Sequence, residues 1–191
     1  MGKPPQLKRA IQMAHSLIRE RVQPGDSVID ATAGNGHDSL FLAQTVGGNG
    51  LVSCFDIQEA AIRNTRERTN GMQQVALHHT GHENIPEIIH SPVKAATFNL
   101  GYLPAGDKQI TTGGETTVAA LNSVIALLEA GGIITVVLYP GHPEGEREAK
   151  QVEAWATELD QSIFTVILYQ TINQRNSPPY LIAVERRSNF D

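Results

Sequence analysis

At 191 residues the chain is expected to form one domain, residues 1–191, with enough volume to bury a core. Its 40% hydrophobic and 18% charged residues exclude a disordered chain, and its net charge of −5 excludes a global basic surface for coating nucleic acid. No apolar run reaches membrane-spanning length, and the single cysteine, Cys54, excludes an intrachain disulfide. The N-terminus, Met1-Gly2-Lys3-Pro4-Pro5-Gln6, lacks the apolar core of a signal peptide, so a cytoplasmic protein is expected.

Residues 5–22 predict an amphipathic helix, with Leu7, Ile11, Ala14, Ile18 and Val22 at helical spacing. Pro24-Gly25-Asp26 ends it and leads into a first strand, Ser27-Val28-Ile29-Asp30. The stretch Asp30-Ala31-Thr32-Ala33-Gly34-Asn35-Gly36-His37-Asp38 then reads as a tight turn into a helix over about 36–45. Its two glycines leave backbone bare for a ligand, and Asp30 at the strand end can hold a charged amine or ribose hydroxyls. Such a turn also serves purely steric ends in many α/β domains.

The second strand narrows the choice. Leu51-Val52-Ser53-Cys54-Phe55-Asp56 ends in an acid twenty positions after Gly36, where nucleotide-binding α/β units carry the carboxylate that bonds a ribose. The third glycine of the dinucleotide fingerprint is missing, since Asp38-Ser39 stands there. A nucleoside ligand without a pyrophosphate is therefore favoured. S-adenosylmethionine fits, with Asp30 and the turn facing its methionine part and Asp56 its ribose.

A helix is expected over about 58–69, then a third strand at 75–79 and a fourth at 94–99. After a long loop over 101–114, a helix at 115–130 buries Val118, Leu121, Val124, Ile125 and Leu128, and Gly131-Gly132 is read as its stop. The fifth strand, 133–139, is continuously apolar, as a strand covered on both faces should be. A helix over 144–159 and two strands, 164–170 and 180–185, complete the chain, and the last two are expected to pair antiparallel. Strands alternating with helices in this order predict a Rossmann-like three-layer α/β sandwich with a seven-stranded, mostly parallel sheet and a C-terminal antiparallel hairpin. Ligands bind such sheets outside the carboxyl ends of the strands. Asp30 to Gly36, Asp56, His82, Asn99 to Tyr102 and His142 all fall there.

Asn99-Leu100-Gly101-Tyr102 has the Asn-x-x-Tyr spacing used by amino-group methyltransferases. The Asn99 side-chain oxygen and the Leu100 carbonyl can accept hydrogen bonds from an NH₂ group and aim its lone pair, while Tyr102 can stack on the base that bears it. Methyl transfer asks mainly for proximity and orientation. A protonated amine must also lose a proton, for which Asp38, His82, Asp107 and His142 are candidates. No metal is expected, because His78 and His79 point to opposite faces of a strand. Lys8, Arg9, Lys108 and Arg175 form a candidate basic patch for RNA.

Five stretches together resemble one family over about residues 7–187. They are Asp30 to Asp38; Phe55-Asp56-Ile57-Gln58; Asn99 to Pro104 with Gly106-Asp107-Lys108; Gly141-His142-Pro143-Glu144-Gly145; and Pro178-Pro179-Tyr180-Leu181-Ile182-Ala183. The family is the class I S-adenosylmethionine-dependent methyltransferases of the MnmM/YtqB type, tRNA 5-aminomethyl-2-thiouridine methyltransferases long labelled rRNA methylases. Ala105 replaces a usual glycine, and Gly81-His82-Glu83 replaces a usual Ser-His-Asp/Glu at the adenine-side turn.

The resemblance implies methyl transfer from S-adenosyl-L-methionine to the aminomethyl nitrogen of the wobble uridine in the tRNA anticodon region. It implies cofactor contacts from Asp30, Thr32, Gly34, Asn35, Gly36, Asp38, Asp56, Gln58, His82, Glu83 and Asn99. Tyr102, Asp107, Lys108 and His142 would contact substrate, with Asn99 and Tyr102 catalytic. A homodimer stays open. So do a methyltransferase of the same fold acting on rRNA or a small amine and, less favoured by the missing glycine, a nucleotide-binding oxidoreductase.

Overall fold

The computed structural model describes residues 7–101 and 113–188; Tyr102, Asp107 and Lys108 lie outside the described residues. In chain order the elements are α1 (Ala10–Arg21), β1 (Ser27–Asp30), α2 (His37–Val46), β2 (Leu51–Asp56), α3 (Glu59–Arg68) and β3 (Val75–His79). There follow α4 (Ile85–Ile88), β4 (Val93–Asn99), α5 (Gly114–Leu127), β5 (Leu128–Leu138), α6 (Pro143–Thr157), β6 (Phe164–Tyr169) and β7 (Tyr180–Arg186). The sheet order is β3-β2-β1-β4-β5-β7-β6. Strands β1 to β5 pair parallel, and β7 runs antiparallel between β5 and β6.

Alternation along the strands feeds two cores. Val28, Val52, Cys54 and Ala95 meet Ile18, Val22, Leu42 and Val46 of the α1–α2 layer. Ile29, Phe55, Phe98 and Val136 point the other way, onto Leu121, Val124, Val152 and Trp155 of α5 and α6. Each fully buried side chain of this kind contributes about 1.5–3 kcal/mol, and coverage of both faces explains why β5 reads as unbroken apolar sequence.

The chain adds β2 and β3 on one side of β1 and then crosses to place β4 on the other, with Asp30 level with Thr97. This reversal opens a crevice at the carboxyl ends of β1 and β4. It sets the turn after Asp30 beside Asn99, although the two are far apart in sequence.

Three details depart from expectation. Leu7 is 92% exposed and outside the buried stripe, since α1 begins only at Ala10. A single 3-10 turn and the short α4, with Pro86 in its first turn, follow β3 where only a turn was expected. The helix expected to reach residue 130 ends at Leu127, and Leu128 already belongs to β5. Gly131-Gly132 is not its stop but a bulge: pairing with β4 jumps from Val93–Leu128 to Ala95–Ile133. A Cβ on Gly132 would come within 2.8 Å of the Lys94 carbonyl oxygen, so close strand approach, and not helix termination, requires the glycine there.

Candidate active site

A cavity of about 1010 Å³ lies over the crevice. Its wall comes from the β1–α2 turn, the end of β2, the turn after β3, the end of β4, the segment after β5 and the approach to β7. Thr32, Gly34, Asn35, Asp38, Asp56, Gln58, His82, Glu83, Asn99 and His142 all stand on this wall, whereas Asp30 and Gly36 do not.

On the β2 side the main chain does the organising. The Gly34 N–H donates to Asp56 Oδ2 at 2.9 Å and the Gln58 N–H donates to Asp56 Oδ1 at 2.9 Å. Each carboxylate oxygen accepts more than one hydrogen bond, so Asp56 ties the turn to β2 and keeps capacity for two hydroxyls. Asn35 is gripped from α3, its Oδ1 accepting from Asn64 Nδ2 at 2.9 Å and its carbonyl from Arg68 Nε at 2.6 Å.

Two of the expected ligand contacts stand behind this wall. Gly36 caps α2 at φ +76°, and a Cβ there would lie 2.8 Å from the Thr65 Cα, so it is glycine to let α2 start against α3. Asp30 is wholly buried; Ser39 Oγ donates to its Oδ2 at 2.5 Å and the Thr32 N–H to its Oδ1 at 3.2 Å. Burial, with the charge of Asp38 adding to it, pushes the Asp30 carboxyl up to about 7. Asp30 thus holds the turn from behind and does not reach the cavity.

On the β4 side, side chains organise one another. The Asn99 N–H donates to Thr32 Oγ1 at 2.7 Å, and Asn99 Nδ2 donates to Asp38 Oδ2 at 3.2 Å. A carboxylate only accepts, so the NH₂ of Asn99 must face Asp38 and its Oδ1 is left to face elsewhere. Asp38 Oδ1 is 2.7 Å from His15 Nε2. Burial raises the phenol of Tyr139 on the same wall, with the Asp38 charge adding and a hydrogen bond with Asn99 opposing.

Two other histidines on the wall, His82 and His142, are committed locally. His82 is buried and presents Nδ1 to the Ala31 carbonyl at 3.3 Å, so that nitrogen carries the proton. Burial holds its pKa below the ordinary value. His142 caps α6, its Nδ1 accepting from the Gly145 N–H at 3.1 Å. Among the described residues no group of three or more His, Cys, Asp or Glu is placed to hold a metal ion.

Sequence reasoning missed His15, Tyr139 and the segment 176–179. The only signal for His15 was its place beside the buried Ala14. For 176–179 the Asn-Ser-Pro-Pro run gave a loop but no direction. Asn176 and Ser177 adopt φ of 70° and 44° on the cavity wall, a strained backbone of the kind found at ligand sites. Arg175 adjoins this segment, and Lys8 is drawn to the same end of the sheet by the Tyr169 hydroxyl, which donates to the Lys8 carbonyl at 2.7 Å. Lys8, Arg9 and Arg175 are exposed.

Residues 52–185 match the family described as "Putative rRNA methylase". The chain is 37% identical over 195 aligned positions, covering 95% of it and 71% of the relative, to a chloroplastic tRNA (mnm(5)s(2)U34)-methyltransferase of Arabidopsis thaliana. Two solved structures are similar in fold and sequence. One is a putative rRNA-methylase from Clostridium thermocellum, with TM-score 0.93, 45% identity, and 95% of this chain and 100% of that one covered. The other is a putative methyltransferase from Streptococcus mutans in complex with SAH, with TM-score 0.88, 37% identity, and coverage of 95% and 99%.

Proposed function

This chain belongs to the "Putative rRNA methylase" family of class I methyltransferases and is an S-adenosylmethionine-dependent methyltransferase; from that premise we propose that it methylates the aminomethyl nitrogen of the wobble uridine in tRNA. The product is the 5-methylaminomethyl nucleoside. The observation that carries the proposal is Asn99, whose amide NH₂ is held on Asp38 at the cavity wall, which turns its oxygen away from Asp38 as an acceptor for an amine. The relative named for the mnm(5)s(2)U34 position adds support.

The residues fit the cofactor. Asp38, Asp56 and Glu83 give the wall an acidic character suited to a cation, and Asp56 has acceptor capacity for ribose hydroxyls. A cavity of about 1010 Å³ leaves room for a base beside it. When bound, S-adenosylmethionine supplies an electrophilic methyl on a sulfonium. This chain supplies orientation: Asp56 and the turn from Ala31 to Asp38 hold the donor, and Asn99 Oδ1 aims the nitrogen. Tyr102, Asp107, Lys108 and His142 would hold the uridine and its neighbours, with Tyr102 stacking on the base. Proximity and alignment of this kind lower a barrier without a covalent intermediate.

Lys8, Arg9 and Arg175 at the cavity end of the sheet are the described members of the phosphate-binding patch. A cytoplasmic location, where Cys54 stays the buried free thiol it is here, goes with the same proposal. No helix among the described residues is long and apolar enough to cross a membrane. For the homodimer left open by the sequence, the edge strand β6 exposes Val166, Ile167 and Leu168, and sedimentation of the full chain tests it.

Nucleoside mass spectrometry of tRNA from cells with and without the gene tests the substrate. Accumulation of the aminomethyl nucleoside in the deletion supports the proposal. An unchanged tRNA profile with a lost rRNA methyl group replaces tRNA by rRNA.

A further inference from the structure

Asp38 has two hydrogen-bond partners on two different elements. Its Oδ2 accepts from Asn99 at the end of β4, and its Oδ1 lies 2.7 Å from Nε2 of His15 on α1. Since the carboxylate can only accept, His15 Nε2 must carry a hydrogen on the side facing Asp38. The imidazole is fixed from its own side as well. It stacks on Phe41 with ring centroids 3.8 Å apart and planes 9° from parallel, and Arg19 sits 4.9 Å from the same Phe41 ring. His15 is a quarter exposed and Asp38 about a tenth.

We propose that His15 is a positioning residue for methyl transfer: through Asp38 it fixes which end of the Asn99 amide faces the reacting amine. This rests on the reading of Asn99 as the amine acceptor. The amide of Asn99 has two faces of opposite polarity, and a half-turn of it would present NH₂ to an incoming NH₂. An amide N–H facing the amine can bond it only by donating to the nitrogen lone pair, the pair that must attack the methyl. Asp38 forbids the half-turn only while its own carboxylate is held, and His15 holds the oxygen that Asn99 does not use. The N-terminal helix, remote from Asn99 in sequence, is thereby part of the amine site.

Two substitutions separate this role from packing. His15→Phe keeps the ring on Phe41 and removes the N–H; His15→Gln keeps an N–H near the position of Nε2 and removes the ring. In single-turnover methyl transfer to tRNA carrying the aminomethyl wobble uridine, at saturating cofactor, His15→Phe should be slowed roughly ten- to a hundredfold, the scale of lost alignment. His15→Gln should recover most of the rate, and both should keep the cofactor affinity of the wild type. The opposite ranking, Phe fast and Gln slow, means that His15 only packs, and overturns the proposal.

A second readout needs no turnover. Nitrogen NMR of the labelled wild-type chain should show His15 as the Nε2–H tautomer or doubly protonated, with the Asn99 side-chain NH₂ protected from exchange. That protection should be lost in His15→Phe and kept in His15→Gln. A neutral Nδ1–H tautomer, or protection unaffected in both variants, refutes the His15 assignment. Absence of any wild-type methyl transfer to this tRNA refutes the proposed substrate instead, and the NMR result still decides His15.

Discussion

The two walls of the cavity are built by different means. On the β2 side the main-chain amides of Gly34 and Gln58 bind one carboxylate, that of Asp56. On the β4 side three side chains from three elements, His15, Asp38 and Asn99, hold one another. Main-chain groups are supplied by any residue that keeps the fold, so the first wall depends on one acid and on the conformation of a turn. The second depends on the identity of every member. Cofactor holding should therefore depend most on Asp56 and on the shape of the turn, while turnover should be sensitive along the whole His15–Asp38–Asn99 chain.

The sharpest break comes at Asn99. Asn99→Ala removes the acceptor and should lower the methyl-transfer rate by about 10²-fold, with cofactor affinity by calorimetry close to wild type. An equal loss of affinity would merge the two walls into one. Asp56→Ala should do the reverse. Losing hydrogen bonds to a charged group costs roughly 1.5–3 kcal/mol each, so affinity should fall about tenfold or more, and saturating cofactor should restore much of the rate. A variant with unchanged affinity removes Asp56 from the ribose.

Gly36→Ala should act on the fold before it acts on either wall. The left-handed backbone and the approach to Thr65 predict a loss of about 1–3 kcal/mol in urea unfolding, with the folded fraction still binding cofactor. Intact stability would mean that α3 moves away at little cost.

Asp30→Asn should touch the chemistry least, because Asp30 is off the wall. Its effect is on the pH dependence of stability. The native carboxyl titrates near 7 and the unfolded one near 3.8, so between these values the native state binds more protons, and wild-type stability falls as pH rises through the window. The Asn variant lacks that fall and should gain on the wild type from pH 4 to 7. Parallel stability curves would show that Asp30 is ionised throughout.

What could be read from the sequence was what neighbours in sequence decide. The strand-turn-helix around Gly34 and the acid closing β2 lie within one β-α-β unit, and alternation along β1 and β5 reports coverage of their faces. The α5–β5 junction was misplaced because Gly131-Gly132 carries the same local signal whether it stops a helix or admits a bulge. Only the partner strand β4 distinguishes the two. His15 could not be read at all. Its meaning comes from Asp38, 23 positions away, and through it from Asn99, 61 further on. Burial of Asp30 could not be read either, because its place at the strand end is shared by residues that face the crevice and residues that brace it from behind.

The most direct test of amine methylation at the wobble position uses two preparations of one tRNA, identical except that only the first carries the 5-aminomethyl group. Each is incubated with the full chain and S-adenosylmethionine and digested for nucleoside mass spectrometry. The structure and its relatives lead us to expect one added methyl on the aminomethyl nitrogen in the first preparation and none in the second. Equal methylation of both, or a methyl on another atom, would contradict it.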